Sequence, residues 1–185
     1  MGKHPFLLSV ILIAVVGILS ACTRLQSHYD AHNTVSPPAP ASSPTPWPTP
    51  IDIKPTDLAK LHWIEGSWRG TGGDVAPFFE RYKFEDASTL VVETLEDETL
   101  SKISDVSRFE LKAGHFGYNG GDSGSVAIAL DDQSITFAPT GKSRNSFRWQ
   151  RESDNSWKAV LNWTDKTGAA KERVYNMQRW PAKKQ

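Results

Sequence analysis

The sequence predicts an all-β domain of eight to ten short antiparallel strands, arranged as an up-and-down barrel or a sandwich. Three observations lead there. From Ser67 onward, apolar residues alternate with polar ones at a period of two, the period of a half-buried strand. Turn-forming residues interrupt that alternation at short intervals. No cysteine follows residue 22, so the domain must rest on an apolar core rather than on disulfides.

The first element is a short helix over Pro55–Ile64, capped by Thr56 or Asp57. Leu58, Leu61 and Ile64 form its apolar side, and Glu65-Gly66 ends it. Strands are expected at Ser67–Thr71, Phe78–Glu85, Thr89–Leu95, Ser104–Lys112 and His115–Tyr118. Five more are expected at Ser125–Leu130, Ser134–Ala138, Ser146–Arg151, Trp157–Thr164 and Glu172–Trp180. Turns fall at Glu85-Asp86-Ala87, Asn119-Gly120-Gly121, Asp131-Asp132, Ser153-Asp154-Asn155 and Lys166-Thr167-Gly168.

The strand period then sorts side chains by face, on the assumption that no bulge intervenes. Trp157, Ala159, Leu161 and Trp163 share a face, as do Phe147 with Trp149 and Phe109 with Leu111. Glu80, Tyr82 and Phe84 fall together; so do Tyr175, Met177 and Arg179, and so do Val126, Ile128 and Leu130.

What precedes the domain is of another kind. Lys3 and His4 open the chain, and an almost unbroken apolar run follows from Phe6 to Leu19. Small residues then lead to Cys22. A basic start, an apolar stretch and a small-residue cleavage site describe a secretory signal peptide over residues 1–21. The run is about 15 residues, short of the roughly 20 that cross a bilayer as a helix. Residues 22–54 form a disordered tether. Seven prolines in the sixteen residues of VSPPAPASSPTPWPTP favour extended polyproline II over a packed core. Fully extended, such a segment reaches on the order of 100 Å. His28 and His32 lie in the tether, and Trp47 in it reads as incidental or as a docking point. Packed structure is expected from near Ile51, with the barrel or sandwich proper at 55–181 and a tail at 182–185.

Leu19-Ser20-Ala21-Cys22 resembles the lipobox of bacterial lipoproteins. That resemblance implies cleavage before Cys22 and acylation of its thiol; each buried methylene would add roughly 0.8 kcal/mol of membrane affinity. It also implies a membrane partner through the lipid. With Thr23 next, the implied address is the periplasmic leaflet of an outer membrane, or the outer face of the plasma membrane in a cell with one membrane. Removing residues 1–21 takes away only Lys3 among charged side chains, leaving 20 basic and 21 acidic residues. That balance argues against a nucleic-acid partner. Lys183-Lys184 is too short a pair to make a basic patch.

Gly66-Ser67-Trp68, entered from a short helix, resembles the opening of calycin barrels, the group of lipocalins, fatty-acid-binding proteins and nitrobindins. The resemblance selects the barrel over the sandwich. It implies that Arg179, near the end of the last strand, lies over Trp68 and closes one end of the barrel.

Residues that could carry chemistry are few. Gly121-Asp122-Ser123-Gly124-Ser125 looks like a protease nucleophile loop, but a hairpin turn explains its glycines better than catalysis does. His62 and His115 are the domain's two histidines, too few for a zinc cluster. The stretch Gly66–Gly72 also resembles a nitrobindin opening, yet no histidine follows His115 to ligate haem. No catalytic residue, metal or cofactor is therefore assigned. Candidates to line a ligand cavity are Glu80, Tyr82, Phe84, Phe109, Phe147, Trp149, Trp163 and Tyr175. Glu80 could fix a ligand's polar head or act as a general base with raised pKa, or it could form a structural ion pair with Arg179, Arg81 or Arg173. The expected function is a tethered module that binds a small apolar or amphipathic ligand. The alternative is an envelope scaffold with a side-chain-filled barrel and a protein partner; a haem protein or enzyme comes third. A void of ligand size would favour the first and a packed interior the second.

Overall fold

The computed structural model describes residues 48–142 and 144–180. The expected signal peptide, Cys22, the histidines before the domain, Trp47 and the Lys183-Lys184 tail lie outside the described residues.

Pro55–Ile64 is a 3-10 helix rather than an α-helix. Leu58, Leu61 and Ile64 recur every third residue, which matches its three residues per turn and stacks all three into the core. Pro55 occupies the first position, where its missing N–H costs nothing. The cap differs from expectation: neither Thr56 nor Asp57 precedes the helix. Lys54 does, and the Asp57 carboxylate reaches back to accept the Lys54 backbone N–H at 2.9 Å.

Ten strands follow among the described residues. They are β1 Gly66–Gly72, β2 Val75–Asp86, β3 Thr89–Leu95, β4 Ile103–Lys112 and β5 His115–Tyr118. Then come β6 Ser125–Leu130, β7 Ser134–Pro139, β8 Ser146–Ser153, β9 Ser156–Thr164 and β10 Ala170–Arg179. Each pairs antiparallel with its chain neighbours, and β10 closes on β1 with Trp68 opposite Arg179. The result is a closed up-and-down barrel, not a sandwich. We call the end carrying the β2–β3, β4–β5, β6–β7 and β8–β9 turns the floor, and the other end the mouth. The 3-10 helix leads into β1 at the floor, so its three apolar residues meet the barrel core there.

Along β6 the expected face is wrong. The register shifts between Ala127 and Ala129, which puts a bulge in the strand. Ser125 and Ala127 are buried, whereas Val126 and Ile128 are half-buried on the outer wall, and only Leu130 returns to the core. One extra residue re-phases every side chain beyond it.

The wall is thinnest between β5 and β6, which pair through two residue pairs only. Floorward of that short ladder, residues 51–53 bridge the seam. Ile51 N–H donates to Ala127 O at 3.2 Å, and Ile53 N–H donates to Gly114 O at 2.7 Å. Ile53 is buried in the core, and Ile51 packs against it.

Candidate functional site

The inward side chains of alternate strand positions meet along the barrel axis. Trp68, Phe116, Phe137 and Trp157 are each 0% exposed, and Tyr82, Phe109 and Trp149 each 1%. A water-sized probe thus barely touches them, and the floor half is filled by protein. Tyr82, Trp149 and Trp157 stand edge to face with one another, at centroid separations from 5.4 to 6.1 Å. Phe137 stacks on Phe147 at 4.6 Å, and Phe109 lies 5.0 Å from Trp149. Such pairs contribute about 0.5–1.5 kcal/mol each beyond their burial.

Within this packing lies one carboxyl. Glu80 is 2% exposed and accepts a hydrogen bond from the Tyr82 hydroxyl at 2.7 Å. Burial pushes the Glu80 pKa up to about 7, against the pull of the Tyr82 hydrogen bond. Burial, and then the neighbouring Glu80 charge, also raises Tyr82 well above its ordinary value. The expected ion pair is not formed: among the described residues no basic side chain lies within salt-bridge distance of Glu80. At this burial no space for a ligand adjoins the carboxyl.

The floor is closed by Arg179. Its Cζ lies 3.8 Å from the centre of the Trp68 indole. Its guanidinium donates to the Glu65 carbonyl and, at 2.9 Å, to Asp154 O. Trp68 Nε1 donates to Ile64 O at 2.6 Å, which ties β1 to the end of the 3-10 helix. Gly66, at φ +114, leaves the room: a Cβ there would collide with the Arg179 guanidinium. Burial lowers the Arg179 pKa, while the nearby Asp154 charge works in the opposite direction.

Of the cavity candidates, Glu80, Tyr82, Phe109, Phe147 and Trp149 thus pack on one another. Tyr175 packs instead against Phe78, at 5.6 Å. Phe84 stands apart at the floor, 4.8 Å from the His62 ring, beside a groove of about 270 Å3 between the helix and β2. Trp163 is the candidate that lines a cavity at the mouth. There it joins Asn145, Leu161 and Arg173 around a cavity of about 150 Å3. Arg173 Cζ lies 5.7 Å from the Trp163 ring centre, and Nη1 donates to the Tyr175 hydroxyl at 3.4 Å. Among the described residues no carboxylate pairs with Arg173. Sequence reasoning gave Arg173 no place at a ligand, although it lies two positions before Tyr175 and so shares its inward face. Among the described residues no group of three metal-ligating side chains gathers.

No family model matches the chain, and no curated protein matches it. Among solved structures it is similar to a DUF3598-family protein of unknown function from Nostoc punctiforme. The identity is 12% and the TM-score 0.43, over 70% of this chain and 50% of that one. The chain thus spans half the length of that relative. It is also similar to EF1p2_mFAP2b bound to DFHBI, at 14% identity and TM-score 0.33, over 65% of this chain and 96% of that one. A redesigned β-barrel matches at 12% identity and TM-score 0.30, over 64% and 93%. At these TM-scores the likenesses have no bearing on function.

Proposed function

We propose that this chain is an exported envelope lipoprotein, acylated at Cys22, whose proline-rich tether holds a calycin-like barrel off the membrane. In a cell with two membranes its place is the periplasmic leaflet of the outer one. The barrel's mouth takes a small amphipathic anion.

Arg173 carries the ligand half of this reading. It is an inward-facing cation with no carboxylate partner among the described residues, set against Trp163 and Leu161. Such a site favours a ligand that brings a negative group on a short apolar stem. A volume of about 150 Å3 holds about five water-sized groups, so the stem is short. Long chains have no room below it, because the floor half is filled.

That same filling supports a second reading, in which the barrel is a rigid interaction scaffold for an envelope protein. Calorimetric titration of the full chain with hexanoate and with hexanol separates the two. Hexanoate binding that is lost with hexanol, and weakened at least about tenfold by Arg173→Met, is expected. Equal or absent binding of both leaves the scaffold. Incorporation of labelled palmitate, abolished by Cys22→Ala, tests the anchor; a labelled Cys22→Ala chain overturns it.

A further inference from the structure

We infer that a groove on the outer wall of β4, β5 and β6 seats this chain's own proline-rich segment, with Trp47 as the inserted side chain. The groove measures about 330 Å3, and its walls include Pro50, Lys112, His115, Gly117, Tyr118 and Val126. Pro50 is at once part of that wall and the residue at which the proline-rich run meets the barrel.

Three features on this face favour that occupant. The chain is pinned beside the groove by the hydrogen bonds of Ile51 to Ala127 and of Ile53 to Gly114. Trp47 stands three residues upstream of Pro50, a reach of about 9 Å in polyproline II. The segment is therefore presented at millimolar effective concentration, and even a weak contact is populated. On the outer face Gly117 adds no side chain between His115, two positions along β5, and Val126, opposite it on β6. Polyproline II has no internal hydrogen bonds, and proline no N–H. Such a strand can lie along this groove without stranding donors. The contact needs no lipid at Cys22 and stands apart from the anion site. Its effect is to shorten the free leash and fix the barrel's seam toward the tether.

The test is 19F NMR of the full chain in detergent micelles, with all seven tryptophans replaced by 5-fluorotryptophan. Trp47→Phe assigns the Trp47 resonance. A peptide spanning residues 40–50, in the same micelles, gives the free position. Trp47 is expected away from the peptide position, and Val126→Arg is expected to return it there while the other six resonances hold. Those six also report whether the variant folds; should it not, Thr140→Arg at the groove's far end replaces it. A Trp47 resonance at the peptide position, or one that ignores the folded groove variant, overturns the proposal. So does a displacement that grows with protein concentration, since it assigns the groove to another molecule's tether.

Discussion

Arg179 and Trp68 face each other across the β10–β1 ladder, with the guanidinium carbon 3.8 Å from the indole centre. The contact closes the barrel's ring and its floor at once. The same guanidinium also holds the carbonyls of Glu65 and Asp154, at the ends of the 3-10 helix and of the β8–β9 turn. Lysine offers a point charge where this site uses a planar fork. Arg179→Lys is expected to cost about 2–3 kcal/mol, lowering the thermal midpoint by roughly 10 °C. A melt followed by circular dichroism checks this, and an unchanged midpoint refutes it.

Glu80 makes the barrel less stable toward neutral pH. Its folded pKa of about 7 lies above the ordinary 4.5, so the folded state binds the proton more tightly than the unfolded state does. The contribution is complete below 4.5 and is lost as pH rises through 7, by on the order of 3 kcal/mol. Glu80→Gln keeps an acceptor for Tyr82 and removes the titration. Urea midpoints of this variant should run flat between pH 4.5 and 7, where the unaltered chain declines.

Glu93 pulls the other way. It faces outward from β3 yet is only 4% exposed, and it holds Arg81 at 2.9 Å and Lys83 at 2.5 Å. Burial alone would raise its pKa, but the Lys83 hydrogen bond and the charges of Lys83 and Arg81 outweigh that and lower it. Its stabilisation is therefore present above the ordinary carboxylate range and lost as pH falls. Because both cations are partly exposed, it amounts to about 1 kcal/mol. In Glu93→Gln the acid limb of the urea-midpoint profile should become shallower, with the neutral limb unchanged in slope.

Ala113 sits at φ +51 beside Gly114 at φ +82, in the two-residue turn between β4 and β5. A turn with both central residues left-handed suits Asn-Gly, whereas alanine is strained there. Ala113→Asn is expected to stabilise by about 0.5–1 kcal/mol, read as a higher urea midpoint with the slope unchanged.

Most strands could be read from the sequence because alternation and turn chemistry agree locally. Thr89–Leu95, His115–Tyr118 and Ser125–Leu130 end where the turns on either side require. The β6 bulge could not be read: Val126, Ile128 and Leu130 alternate without a break, and the extra residue appears only in the register against β7. The 3-10 helix was half visible. Leu58, Leu61 and Ile64 fit a three-residue repeat, but Leu58 and Leu61 fit an α-helical face as well. Glu80 was visible as an inward carboxyl, whereas its partner was not, since Tyr82 two residues away competes with the adjacent Arg81 and with Arg173 and Arg179, distant in sequence. The filling of the floor half depends on how ten faces converge, which no single strand encodes.

The seam between β5 and β6 also has a mechanical meaning. A pull along the chain's N-terminal arm enters the barrel at Ile51, and its first bearing points are the bonds to Ala127 and Gly114. These sit beside the shortest ladder in the wall. Tension would open that slit before any other, drawing Ile53 out of the core and letting water in among the rings behind it. The stave that attaches the barrel is thus also the one that seals it.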